Sequence, residues 1–114
     1  MTKRVAGMYG GSDDLGRLAD PWVLILTSLA DGPKHGYALI KDIEDFAGIR
    51  LGAGTLYGAL AKLERAGLVE ALPPGDRRRP YQITQAGREQ LRERLLQASR
   101  IAQVGLRRIS AVPS

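Results

Sequence analysis

Cysteine is absent from this chain of 114 residues, and histidine occurs once, at position 35. The first absence excludes disulfides, thiolate nucleophiles and thiolate metal sites. The second excludes a multi-histidine metal centre and leaves the usual nucleophile–base pairs almost without members. Long apolar runs are also missing: the longest, Trp22 to Leu29, is interrupted by Thr27 and Ser28 and is too short to span a bilayer. It follows Asp13, Asp14 and Asp20 and lacks the basic start, apolar middle and small-residue cleavage site of a secretory leader, so a cytoplasmic protein with no membrane partner is expected. No glycine-rich loop follows a strand in a βαβ unit; Gly52-Ala53-Gly54 opens a helix but follows a loop. Neither an enzyme nor a bound cofactor or metal is expected.

What is present suits one small globular domain, with 44% hydrophobic and 25% charged residues. The formal charge is +5, and its placement is more informative than its size. Residues 1–75 hold eight Lys/Arg against nine Asp/Glu, whereas residues 76–114 hold nine Arg against three acids. A polyanionic partner should therefore meet the last third of the chain or something beside it.

Residues 1–19 are rich in glycine and polar residues without periodicity and read as a flexible N-terminal arm, with Lys3 and Arg4 available for an extra contact. Asp20-Pro21 begins a helix over Trp22, Val23, Leu24, Ile25, Leu26 and Leu29, which stops at Asp31-Gly32-Pro33. From Gly36 to Phe46 the apolar residues Leu39, Ile40, Ile43 and Phe46 recur at helical spacing, with Lys41, Asp42, Glu44 and Asp45 opposite. A third helix from about Thr55 to Ala66 carries Leu56, Ala59, Leu60 and Leu63 on one face and ends at Gly67. Two short helices joined by a glycine-containing connection, with another helix behind them, is the helix-turn-helix plan. Residues 68–72 and 79–83 read as strands around the turn Pro73-Pro74-Gly75-Asp76, a hairpin wing. Thr84 caps a last helix whose residues Leu91, Leu95, Ala98, Ala102, Gly105 and Ile109 form a long stripe that needs a partner surface. The expected fold is thus mainly α with a small β-hairpin: a winged helix-turn-helix over residues 20–83 and a C-terminal helix over residues 84–112.

At 100° per residue, the third helix turns Thr55, Gly58, Ala61, Lys62 and Arg65 away from the core. Small residues let a helix sit deep in a major groove, and Thr, Lys and Arg bond phosphates or a guanine edge; a merely solvated amphipathic helix shows the same pattern. Arg77-Arg78-Arg79, followed by Tyr81, puts adjacent cations at a hairpin tip, where they repel one another unless a polyanion is near. His35, at the start of the second helix, is placed either to touch phosphate or to cap. Trp22 on the first helix is either core packing or the aromatic wall of an effector pocket.

Four segments carry a family resemblance: His35-Gly36-Tyr37-Ala38-Leu39, Gly54-Thr55-Leu56-Tyr57-Gly58-Ala59-Leu60, Leu63-Glu64-Arg65-Ala66-Gly67-Leu68-Val69, and Arg78-Arg79-Pro80-Tyr81-Gln82-Ile83-Thr84-Gln85-Ala86-Gly87. In order and spacing they resemble the PadR transcriptional regulators. The resemblance implies a winged helix-turn-helix repressor that binds a palindromic operator in double-stranded DNA, is homodimeric through its C-terminal dimerisation helix, and is released by a small-molecule effector or another signal. It also implies that Thr55 and Tyr57 face phosphate at the start of the recognition helix, that Lys62 and Arg65 point to DNA, and that the wing arginines follow the flanking minor groove. The dimer seam expected from the stripe is Leu91, Leu95, Ala98, Ala102 and Ile109. Gly52 and Gly58 stand where such proteins often carry Ser or Thr and a larger residue or proline. A reading of another class is a winged-helix module whose basic wing binds an acidic protein partner.

Overall fold

The computed structural model describes residues 20–75 and 78–111; the expected N-terminal arm, residues 1–19, and Arg77 lie outside them. The described residues form α1 (Pro21–Leu29), α2 (Gly36–Ala47), α3 (Ala53–Arg65), β1 (Val69–Ala71), β2 (Tyr81–Ile83) and α4 (Gln85–Ala111). This is the winged helix-turn-helix expected from the sequence, mainly helical with one two-stranded hairpin and a long last helix.

Each boundary has a local cause. Asp20 caps α1, its Oδ1 accepting the Trp22 N–H at 2.8 Å, and Pro21 occupies the first turn, where no N–H is needed. Gly48 ends α2 at φ 69°, a left-handed conformation in which a side chain is strained. Gly67 turns the chain from α3 into β1 at φ 78°. Thr84 starts α4: its Oγ1 accepts the Gly87 N–H at 3.0 Å and donates to the Gly67 carbonyl at 2.7 Å, so one hydroxyl both caps the helix and ties it to the end of α3.

The core is assembled from all these elements. Ile25 and Leu29 of α1, Leu39 and Ile43 of α2, Leu56, Leu60 and Leu63 of α3, Val69 of β1 and Ile83 of β2 are buried together. Removing such side chains from water is worth about 1.5–3 kcal/mol each, which makes this cluster the main stabilising feature of a chain with no cross-links. Ser28 is the one polar residue buried in it among the described residues, and its Oγ donates to Asp42 Oδ2 at 2.6 Å, joining α1 to α2. Phe46 is in phase with the core face of α2, yet it lies in the last turn and is exposed.

The strands pair antiparallel with Val69 opposite Ile83 and Ala71 opposite Tyr81. A feature with no sequence signature extends this sheet: Lys34, in the loop before α2, exchanges both backbone hydrogen bonds with Tyr81, at 2.9 and 3.1 Å. The wing is therefore fastened to the helix-turn-helix by backbone.

Among the described residues helix α4 docks by its N-terminal part, as far as Arg94. Leu91 is buried, Arg88 donates to the Ala30 carbonyl at 3.2 Å, and Arg94 lies 5.8 Å over the Trp22 ring and 3.7 Å from Asp20. Leu91, expected to open the dimer seam, instead belongs to the chain's own core, because α4 still lies against α1 at that point. From Leu95 onward the apolar residues face outward, with Ile109 74% exposed.

Candidate nucleic-acid interface

Helix α3 divides its residues as a groove-reading helix must. Leu56, Ala59, Leu60 and Leu63 are buried, while Thr55, Gly58, Ala61, Lys62 and Arg65 are all exposed on the opposite side. The two small residues, Gly58 and Ala61, leave the helix backbone open to close approach. The helix begins at Ala53, two residues earlier than periodicity suggests, with Gly52 as its cap and no side chain bonding the first backbone donors. Lys62 and Arg65 fall in its last turn.

Tyr57 sits at the edge of this face, half exposed, and its ring packs over Gly36 at the start of α2. A Cβ at position 36 would overlap the Tyr57 hydroxyl and approach its Cζ to 2.7 Å, which explains the glycine there. The two sequence segments His35-Gly36 and Leu56-Tyr57 are thus one structural contact. Nothing in sequence spacing alone links them.

His35 is the cap of α2, its Nδ1 accepting the Ala38 N–H at 3.3 Å, and its Nε2 lies 3.1 Å from Nη1 of Arg78 in the wing. Arg78 and Arg79 are both exposed. Tyr81, expected beside them as a DNA contact, shares a strand face with buried Ile83 and packs against the core. That burial, followed by the nearby Glu64 and Tyr57, raises its hydroxyl above the ordinary tyrosine range, with Arg79 opposing. It anchors the wing to the core while remaining only partly buried.

Unpaired cations occur on this surface, as they do at Lys41 of α2 and at Arg88, Arg92, Arg100, Arg107 and Arg108 of α4 among the described residues. Among the described residues the ion pairs are Lys34 with Asp31, Arg50 with Glu44 and Arg94 with Asp20. Lys62, Arg65, Arg78 and Arg79 have no carboxylate partner among the described residues, and all four lie on α3 or the wing. Among the described residues no three His, Asp or Glu side chains are grouped to hold a metal ion, and no helix is long and apolar enough to cross a membrane.

The crevice beside Trp22, lined also by Val23, Leu26, Gln90, Leu91 and Arg94, measures about 10 Å³. That is room for about one water molecule. Trp22 packs partly into the core under Arg94, and the crevice it lines among the described residues is smaller than an effector.

Residues 25–93 match the family model described as the transcriptional regulator PadR-like family. A transcriptional regulator from Clostridium thermocellum superposes with a TM-score of 0.71 at 26% identity, covering 83% of this chain and 94% of that one. A PadR family transcriptional regulator from Eggerthella lenta does so with a TM-score of 0.67 at 28% identity, covering 93% and 95%. An uncharacterized 37.1 kDa protein in a transposon of Streptomyces fradiae is 53% identical over 75 residues, which are 66% of this chain but only 22% of that relative's length. With the family model spanning well over half of its residues, the chain belongs to the transcriptional regulator PadR-like family, whose members are regulators of transcription and not enzymes.

Proposed function

We propose that this protein is a cytoplasmic, sequence-specific DNA-binding repressor that acts as a homodimer on an inverted-repeat operator. The observation that carries this reading is the coincidence of shape and uncompensated charge: an exposed helix with small residues at its centre, two free cations in its last turn, and two more on a wing fastened beside it. A helix of this kind fits a major groove, and the wing arginines fit the backbone and flanking minor groove. The outward apolar residues of α4, Leu95, Ala98, Ala102 and Ile109, form the seam between two copies and set the recognition helices about one turn of DNA, roughly 34 Å, apart.

The space at Trp22 holds about one water, whereas a cleft of about 310 Å³ between Ala30 and the α4 residues Arg88, Leu91, Arg92, Leu95 and Leu96 adjoins the proposed seam and is the place for a small-molecule effector. An effector then acts by its difference in affinity for two arrangements of the pair.

The test is binding of the purified protein to duplexes selected from a random pool, measured across a salt series with a scrambled competitor. Tight, competitor-resistant binding to an inverted repeat with a steep salt slope is the expected outcome. Arg65→Ala should then relax base preference at one position, at a cost of about 1–3 kcal/mol, whereas Arg78→Ala should weaken all sequences alike and flatten the salt slope. No duplex binding even at low salt would overturn the proposal and favour an acidic protein as the partner of the basic wing.

A further inference from the structure

His35 and Arg78 meet at 3.1 Å, Nε2 to Nη1, and the ring tautomer decides whether this contact is a finished hydrogen bond. The other ring nitrogen, Nδ1, accepts the Ala38 N–H as the cap of α2. An imidazole nitrogen that accepts a hydrogen bond carries no proton, and a neutral imidazole has one such nitrogen. With Nδ1 accepting, Nε2 carries the ring proton. A guanidinium has donors only. In that tautomer two N–H donors, one from the start of α2 and one from the wing, face each other, and neither side group has another hydrogen-bond partner beyond Ala38 among the described residues.

The pair is held in place by backbone rather than by its own attraction. The double hydrogen bond between Lys34 and Tyr81 brings the residue before His35 beside the strand that follows Arg78 and Arg79. The charges around it are positive on balance: Lys34 is engaged by Asp31, the hydroxyl of Tyr81 is the group on which Glu64 acts, and Arg79 has no acidic partner among the described residues. Two donors from different elements, converging within a cationic surface, form the arrangement that a single anionic oxygen completes with two charge-assisted hydrogen bonds.

We infer that His35 and Arg78 jointly grip one phosphodiester oxygen of bound DNA, and that this shared oxygen clasps the wing to the start of α2. The inference rests on the DNA-binding reading above and adds a defined phosphate site, a ring tautomer and a coupling between two elements. The competing arrangement is a ring whose Nε2 accepts from Arg78 and whose Nδ1 bears the proton; it surrenders the α2 cap and has no outward donor left for an anion.

The experiment is nitrogen NMR of the His35 ring in the full chain, recorded free, with inorganic phosphate, and with the selected duplex. The clasp requires protonated Nε2 and bare Nδ1 in the free chain, and a shift of the Nε2 proton on duplex binding. His35→Asn keeps a side-chain acceptor for the cap, and its shorter amide places no donor at the position of Nε2. It should leave the melting temperature unchanged and weaken duplex binding on the order of tenfold. Combined with Arg78→Ala it should cost less than the product of the two single effects, because both groups hold the same oxygen. A free chain with protonated Nδ1, or a bound duplex that leaves both the Nε2 signal and the His35→Asn affinity unchanged, overturns the clasp. If the wild-type chain binds no duplex, the functional reading fails. Inorganic phosphate then judges the site separately: an Nε2 response abolished by Arg78→Ala keeps an anion site and overturns DNA as its source, and no response overturns both.

Discussion

Two glycines offer a controlled comparison of what a single methyl group costs in this fold. At Gly87, in the first turn of α4, an added Cβ would run into the carbonyl oxygen of Leu68 and stand 2.8 Å from Cγ1 of Ile83. Ordinary carbon contacts lie at about 3.5–4.0 Å, so relief needs movement of nearly an ångström. The Leu68 oxygen cannot give way cheaply, because it is main chain and accepts the Thr84 N–H at 3.0 Å. Overpacking of this kind costs about 1–3 kcal/mol, while alanine's helical advantage over glycine returns at most about 1 kcal/mol. The clash wins, and Gly87→Ala should lower the melting temperature by roughly 5–15 °C. At Gly36 the obstruction is the phenol end of Tyr57, a half-exposed side chain that can swing aside. Gly36→Ala should therefore leave the melting temperature within about 2 °C of wild type, yet displace Tyr57 from the edge of α3 and weaken DNA binding. Circular dichroism melts at one fixed protein concentration compare the two, since any association makes the midpoint concentration-dependent. A Gly87→Ala chain as stable as wild type, or equal losses in both variants, would refute the reasoning.

Leu95→Glu should yield a folded chain that sediments as a monomer and binds its operator poorly, whereas Leu91→Ala should lose about 2–5 kcal/mol of stability whatever the state of assembly; a sedimentation profile unchanged by Leu95→Glu excludes the proposed seam. Ser28→Ala leaves Asp42 without its buried donor and should destabilise by about 1–3 kcal/mol in denaturant titration, with no effect on which duplex is selected. Tyr81 holds its proton more tightly in the folded chain than in the unfolded one. Its contribution is therefore intact below the ordinary tyrosine value of about 10 and is lost as pH rises through the raised folded value; Tyr81→Phe should flatten that alkaline decline, and an unchanged alkaline limb counts against the shift.

The helices were legible because their information is local. Asp20-Pro21, Gly48, Gly67 and Thr84 mark their ends by side-chain capping or left-handed geometry, and the leucine spacing of α3 fixes which face is buried. The apolar spacing of α3 places its start only at about Thr55, because Ala53 and Gly54 add nothing to the buried face; the helix begins at Ala53 with Gly52 as its cap. Tyr81 and Leu91 are harder to place from sequence for a different reason. Each lies in a pattern that is correct in period but serves two surfaces in succession: β2 turns Tyr81 inward with Ile83, and α4 buries Leu91 before its stripe emerges at Leu95. Contacts that depend on tertiary arrangement alone, such as Tyr57 on Gly36, Lys34 with Tyr81 and Arg94 over Trp22, have no local signature.

The distribution of these ties bears on how binding is controlled. Ser28 to Asp42 joins α1 and α2, Lys34 to Tyr81 joins the α2 approach to the wing, and Thr84 to Gly67 joins the wing's end to α3. The elements of the proposed interface are therefore braced to one another by hydrogen bonds across the same core, which leaves little scope for reshaping that surface from within. Helix α4 is braced differently: past Arg94, the apolar residues from Leu95 to Ile109 are exposed along a segment that continues to Ala111. A helix of that length is marginal in water by itself. In the proposed dimer its helicity depends on the second copy, so dissociation should fray the C-terminal half while leaving the winged unit folded. Control of such a protein acts most cheaply on that segment, because a change in how two α4 helices cross moves each intact winged unit as a body and alters the spacing of the recognition helices without disturbing a single contact inside either one.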